Sequence, residues 1–234
     1  MGATRAALAG FGKVVSVARP KQVAVLLFDG MTALDAVGPY DVLKLLPNAD
    51  VRLVAARAGE KATDGPLKLV ADYALDEVPR PDIVVVPGGP GARALLQDER
   101  LLGWLRSAHE HTRWTTSVCY GSTLLGAAGL LEGVEATSHW LARESLSEFG
   151  AKPVNERVVV AGKIVTSAGV SAGIDMALRL AALEAGDKVA QAIQLAIEYD
   201  PEPPFDAGRP EKLPASLVQG VRALASAGRR AHSR

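Results

Sequence analysis

Apolar and polar positions fall in blocks along this chain, and the blocks predict its elements. "QVAVLLF" (residues 22–28) is an unbroken apolar run, the pattern of a strand buried on both faces. Apolar residues then recur at helical spacing from about Leu34 to Leu46. "VRLVAA" (residues 51–56) predicts a second strand, and "LKLVADYAL" alternates as a short strand with its connection. "DIVVVPGGPGA" (residues 82–92) is a third buried strand that ends in a Gly-rich turn. A helix over residues 101–111 comes next, then the strand "WTTSV", then a Leu-rich, small-residue helix to about Leu131. "LARESLSEFG" reads as a helix stopped by Gly150. "RVVVAGKIVTSAG" reads as a hairpin-like pair around Ala161–Gly162. "SAGIDMALRLAALEA" is a long helix, with a further segment over residues 187–199.

Strands that alternate with helices predict an α/β domain, a mostly parallel sheet with helices on both faces. One domain is expected over residues 21–225, with no repeat and no long linker. Residues 1–20 are small-residue rich and mildly basic, and read as a flexible N-terminal extension. Gly10, Gly12 and Lys13 interrupt their apolar stretch, so no clean signal-peptide core forms. The prolines of "YDPEPPFDAGRPEKLP" (residues 199–214) forbid regular helix or a central strand. Tyr199 and Phe205 suit an ordered arm lying on a surface, a partner subunit's among the candidates. A last helix is expected from about Ala215 to Ala225, and the polar tail 226–234 is expected to fray.

Composition narrows the function classes. The 234 residues suit one large α/β domain, and 48% hydrophobic residues supply a sizeable core. A net charge of zero removes any electrostatic argument for nucleic acid or an anionic membrane. No apolar run approaches the ~20 residues that a membrane span needs. A single cysteine, Cys119, excludes an internal disulfide framework and a Cys cluster for zinc. It fits a reducing compartment, and the cytoplasm is expected.

That cysteine sits in "TTSVCYGSTLLGAAGLL" (residues 115–131), where a strand turns abruptly into a helix. Ligands of parallel α/β sheets bind beyond the carboxyl ends of the strands. A helix N-terminus aimed at the thiol favours a thiolate. A sharp strand-to-helix turn exposes a nucleophile and strains its backbone, and Gly121 permits the turn. A free cysteine is otherwise an ordinary buried hydrophobe. Gly88 and Gly89 end another buried strand, where their N–H groups can approach a bound atom closely. With the Tyr120 N–H they would form an oxyanion-type hole; the plainer alternative is a Pro-Gly turn. "GGPG" lacks the spacing and lysine of a P-loop.

Asp35 interrupts an apolar stretch, where it either caps the following helix or faces the thiol as a general acid/base that shares its proton. His109 and His111 are expected on a charged, solvated helix, and His232 lies in the tail. Only His139, in "ATSHW", is placed to reach the site, as a structural or pocket-lining group rather than a base.

"VAVLLFDGMTALDAVGPYDVL", "DIVVVPGGPGARAL", "TTSVCYGSTLLGAAGLLEGVEATSHW" and "VTSAGVSAGIDMAL" together resemble the ThiJ/PfpI superfamily. Its fold is a flavodoxin-like three-layer sandwich of the class-I glutamine amidotransferase kind. Within it the chain is most similar to the isocyanide hydratases, and "LAIEYDPEPPFDAG" is similar to their tail. The resemblance covers roughly residues 22–225. It implies a homodimer that acts on a small molecule, with no metal and no organic cofactor. It implies Cys119 as nucleophile and Asp35 as its acidic partner, where many relatives carry Glu. It implies Gly89 and the Tyr120 amide as oxyanion-binding groups. The chain departs from the pattern at Tyr120, where the hydratases carry Thr and protease-like relatives His.

The implied reaction is hydration of an isocyanide (isonitrile) to an N-substituted formamide through a covalent thioimidate, a hydro-lyase activity. Two other classes stay open. One is a glyoxalase- or deglycase-like cysteine enzyme acting on 2-oxoaldehydes. The other is a non-enzymatic redox-sensing or binding protein. Relatives fused to helix-turn-helix regulators exist, but this chain shows no such module and no basic stripe.

Overall fold

Runs of β-branched and apolar residues too short for helices form strands, and most are followed by a segment of helical spacing. In chain order the elements are β1 (Lys21–Leu26), α1 (Ala33–Leu43), β2 (Ala49–Ala55), β3 (Gly59–Ala62), β4 (Lys68–Ala71), β5 (Tyr73–Ala74), β6 (Ile83–Val86), α2 (Glu99–His111), β7 (Trp114–Val118), α3 (Gly121–Ala127), β8 (Glu135–Ala136), β9 (Lys152–Pro153), β10 (Val158–Ala161), β11 (Ile164–Ser167), α4 (Ala172–Ala185), α5 (Asp187–Ala196) and α6 (Ala215–Ala231). They belong to a computed structural model that describes residues 19–231 and divides after Ile197 into two units. The hydrophobic pattern, read as one domain over residues 21–225, marks no boundary there.

The first unit is built on a sheet of order β10-β11-β7-β6-β1-β2-β5, parallel throughout except for β10. Leaving out β10 and the two-residue edge β5, the parallel strands lie second, first, third, fourth, fifth. That is the flavodoxin-like order, with the switch point between β1 and β6. The crossover through α1 leads from β1 to β2, and the one through α2 leads from β6 to β7 in the opposite direction along the sheet. Right-handed crossovers in opposite directions put their helices on opposite faces. α1 packs with α4, and α2 with α3. The central strands are buried from Val23 to Leu26 and from Ile83 to Val86, as their unbroken apolar runs require. At the amino end of the sheet, Lys21 and Arg113 pair with the buried carboxylate of Glu184, and the Trp114 indole N–H donates to it at 2.6 Å.

Several elements differ from expectation. β3 pairs antiparallel with β4 through Gly59↔Ala71, although "GEKA" is too polar to announce a strand. α3 ends at Ala127 rather than near Leu131, and Gly129 stands just beyond it in a left-handed conformation with φ 77°. The helix read over "LARESLSEFG" is a 3₁₀ segment, Glu144–Phe149, stopped by Gly150 at φ 74° as expected. His109 is not solvated: it is half-buried, with Nδ1 2.8 Å from Thr115 Oγ1. In the second unit the 198–214 stretch carries a single 3₁₀ turn, Pro210–Lys212, and leaves Phe205 77% exposed. α6 runs on to Ala231, past the expected stop at Ala225. The expected N-terminal extension lies outside the described residues as far as residue 18, and so does the end of the tail with His232. Among the described residues no helix is long and apolar enough to cross a membrane.

Candidate active site

Three strand ends converge at the switch point: Asp35 comes after β1, Gly88 and Gly89 after β6, and Cys119 after β7. Cys119 takes φ 58°, a left-handed conformation that costs a non-glycine residue about 1–3 kcal/mol. The turn is over-determined by its surroundings. The Cys119 N–H donates to the carbonyls of Ser167 (3.2 Å) and Ala168 (3.1 Å), and the Ser138 hydroxyl donates to the Cys119 carbonyl at 2.7 Å. A Cβ on Gly121 would collide with the Val86 carbonyl, and one on Gly88 with the Tyr120 amide. Both glycines are there for close approach of backbones, the role foreseen for Gly121.

Asp35 is not the helix cap. Thr32 holds the N-cap position of α1, and Asp35 lies in the first turn, fully buried. One oxygen, Oδ2, accepts the Gly88 N–H at 2.9 Å. The other, Oδ1, has no fixed partner among the described residues, and the Cys119 thiol stands against the carboxyl as a hydrogen-bonding neighbour. Burial pushes the Asp35 pKa from an ordinary 3.8 up to about 7; the Gly88 and Cys119 hydrogen bonds oppose this, and the negative charge of Asp64 adds to it.

The thiol itself is not primed in the way its position at a helix start suggests. Burial, then the charge of Asp35, push Cys119 well above the usual thiol range, while hydrogen bonds from the Tyr120 and Val170 N–H groups work the other way and lose. α3 is only 7 residues long, and its dipole acts on a buried sulfur that has lost its water. Of the two expected outcomes, a depressed thiol pKa or a shared proton, burial argues against the first. Asp35 releases its proton near pH 7 while Cys119 keeps its own, so above that pH the two groups hold one proton between them, and they titrate as a coupled pair.

The remaining predicted residues line the same turn. The Gly88 N–H is engaged by Asp35, so it leaves the expected oxyanion pair and instead orients the acid. Gly89 comes next with φ 126°, and its N–H has no partner among the described residues. The Tyr120 ring stacks on His139, with centroids 5.7 Å apart and planes at 17°. The Leu141 N–H donates to His139 Nδ1 at 3.2 Å, so the neutral ring carries its proton on Nε2. Burial pushes the His139 pKa down to about 4. A ring that stays neutral until such acidity is a poor proton acceptor, which fits a wall better than a base.

Four groups at the site were not singled out from the sequence. Val170 donates its N–H to the sulfur from φ 39°, a conformation that nothing about a valine announces. Ser138 and Thr32 work through bonds to distant backbone or loops, and Asp64 sits on a hairpin whose strand β3 was not foreseen. The Thr-Ser pair before His139 was the one available signal. Among the described residues there is no cluster of three metal-ligating side chains.

The DJ-1/PfpI family model matches residues 21–183. The isonitrile hydratase of Pseudomonas putida is 43% identical over 205 residues, which are 88% of this chain and 90% of that protein. The crystal structure of a ThiJ/PfpI family protein from Pseudomonas syringae superimposes with a TM-score of 0.86 at 33% identity, covering 93% of this chain and 95% of that one. Drosophila melanogaster DJ-1beta shares the fold at a TM-score of 0.71 and 22% identity, covering 78% of this chain and all of that one.

Proposed function

The chain belongs to the DJ-1/PfpI family, and from that premise we propose that it is an isocyanide hydratase, which converts an isocyanide to an N-substituted formamide. The observation that carries the reading is the buried Asp35–Cys119 pair, a nucleophile and an acid in contact, set at the switch point of a chain so similar to the Pseudomonas putida hydratase.

Two additions at one carbon account for every atom and proton. The Asp35 carboxylate takes the thiol proton as Cys119 Sγ attacks the terminal isocyanide carbon. Asp35 then returns that proton to the same carbon, which leaves a thioimidate, R–N=CH–S–Cys119. Water adds to the thioimidate carbon while Asp35 receives a water proton. The C–S bond breaks, the nitrogen gains a proton, and R–NH–CHO leaves as the thiol is restored. The Gly89 amide receives the charge that develops around that carbon and its oxygen, and the Tyr120 amide, which holds the sulfur in the resting site, stands beside it. His139 and Tyr120 form a wall of the pocket.

The active form is a homodimer in the cytoplasm, free of nucleic acid and membrane, with residues 21–225 acting as one functional domain. Exposed Phe205 on a Pro-rich stretch supports an arm that a second copy covers. The test is to supply aryl and alkyl isocyanides and look for the formamide by mass spectrometry. Turnover no higher than that of Cys119→Ser removes the hydratase reading. Consumption of methylglyoxal in its place would assign the glyoxalase-like class, and oxidation of Cys119 without either turnover would assign the sensor class.

A further inference from the structure

The turn of the β3–β4 hairpin reaches the strand ends where Asp35 sits, although its residues lie about thirty positions away in sequence. Gly30 N–H donates to the Ala62 carbonyl (2.8 Å), Asp64 N–H to the Met31 carbonyl (2.8 Å), and Met31 bridges Thr63. The Thr63 hydroxyl closes the turn from within, donating to the Leu67 carbonyl at 2.8 Å. The tie that matters most is at the start of α1. A threonine at an N-cap normally turns its hydroxyl oxygen to the first-turn amides. Thr32 makes no such side-chain bond; its hydroxyl donates to Asp64 Oδ2 at 2.6 Å. Thr32 N–H in turn donates to the Gly88 carbonyl at 2.9 Å, and Gly88 N–H holds Asp35. A chain of hydrogen bonds thus runs from Asp64 to the acid.

Asp64 is exposed, and among the described residues no basic side chain pairs with it. The other charged groups around Asp35 are accounted for. Asp29, on the same turn, accepts the Ala62 N–H at 2.8 Å. Asp175, on α4 packed against α1, accepts from Arg157 at 2.7 Å. From the β7 end comes Cys119, and from the β6 end only the Gly88 amide. Among the described residues Asp64 is the charge that acts on Asp35 from outside the reacting pair, and it adds to burial, the larger cause, in raising the acid's hold on its proton.

We propose that Asp64 is a positioning and selectivity residue of this active site: through Thr32 it fixes the first turn of the helix that carries Asp35, and its negative charge beside that turn disfavours anionic substrates. The proposal rests on the reading of Asp35 and Cys119 as the reacting pair, and it commits the site to isocyanides with an uncharged substituent over those that bear a carboxylate.

Asp64→Asn tests it, since the amide oxygen can still accept from Thr32 while the charge is gone. Asp64→Ser is the second variant, should the first fold poorly. The first readout needs no turnover: alkylation of Cys119 by neutral iodoacetamide and by anionic iodoacetate, measured separately. Removal of the charge is expected to raise the iodoacetate-to-iodoacetamide rate ratio about three- to ten-fold at low salt, with the gain shrinking at high salt. The second is the pH profile of kcat/KM with a neutral isocyanide, whose acidic limb is expected to move to lower pH because Asp35 releases its proton more easily. Thr32→Val, which keeps the charge and loses the bond, is expected to lower kcat without moving the ratio. An unchanged alkylation ratio in both Asp64 variants overturns the proposal. If the wild-type protein hydrates no isocyanide, the functional reading falls, and the alkylation ratio still decides the role of Asp64.

Discussion

Asp35→Asn should make the protein inactive and, above neutral pH, more stable. The side chain is fully buried and its pKa is pushed from 3.8 to about 7, so between those values the folded protein holds a proton that the unfolded chain has released. Stability then falls as pH rises, the reverse of a salt-bridged carboxylate. The contribution is fully present below the unfolded pKa and is lost as pH climbs through the folded one. About three pH units at about 1.4 kcal/mol each give an upper bound of about 4 kcal/mol. Asn has the shape of the protonated acid. Its oxygen can accept the Gly88 N–H and its NH₂ can meet the thiol, with no charge to bury. Thermal unfolding of both proteins across pH 4–8 isolates the effect, because the titrating groups not coupled to Asp35 cancel in the difference and the Cys119 thiol stays protonated over that range. The variant should gain on the wild type as pH rises, by at most about 8–16 °C in Tm. Turnover should fall by about two to four orders of magnitude. A Tm difference that stays flat with pH would refute the buried-acid reasoning, and near-normal turnover would refute the catalytic one.

The same geometry sets the outcome of other perturbations. Gly121→Ala forces a Cβ onto the Val86 carbonyl and should cost several kcal/mol, read as a large drop in the denaturation midpoint or as insoluble protein. His139→Phe keeps a ring beside Tyr120 and removes only a neutral imidazole, so turnover should stay within about tenfold, with no change of the pH profile between 6 and 8; loss of a limb there would mean that His139 does move a proton. Iodoacetamide labelling of Cys119 should keep rising beyond the ordinary thiol range near 8.5, and a plateau at pH 5–6 would contradict the raised thiol pKa. Sedimentation should give a dimer of the 24.4 kDa chain, and a monomer at all concentrations would remove the arm from any subunit interface.

Much of this was legible in the residues because parallel strands are buried on both faces and show as unbroken apolar runs. Val23–Leu26 and Ile83–Val86 are of that kind, and the residues just beyond the carboxyl end of such a strand lie at the ligand-binding edge. Cys119, Asp35, Gly88 and Gly89 could therefore be placed near one another before any contact was known. The protonation states could not. A helix start beside a thiol suggests a low pKa, and only the packing reveals that the sulfur and the carboxyl have both lost their water. Asp64 was illegible for a different reason. Its hairpin strand, "GEKA", shows no apolar pattern, and its tie to the acid depends on which turn folds over which. Val170 lies beyond sequence reasoning altogether, since a β-branched residue at φ 39° is held there by tertiary structure against its own preference.

The direction in which the thiol is tuned bears on the chemistry proposed for it. An isocyanide carbon must gain a sulfur and a hydrogen at the same atom. A thiolate stabilised by a helix dipole would bring the nucleophile and leave the proton to be found in water. A buried pair with one proton between an acid near pH 7 and a thiol well above it supplies both to one point in space. Burial that raises the thiol pKa is then compatible with rapid attack, because Asp35 removes the proton only as the S–C bond forms and no free thiolate has to accumulate. The Gly88 N–H holds one oxygen of the acid, and Cys119 sits on a left-handed turn with its buried thiol hydrogen-bonded to the same carboxyl. A substitution that merely makes the cysteine more acidic should therefore bring no gain in rate. Asp35→Asn should have that effect on the thiol by removing a neighbouring charge, and it should still be inactive, because it leaves a better thiolate with no proton to give.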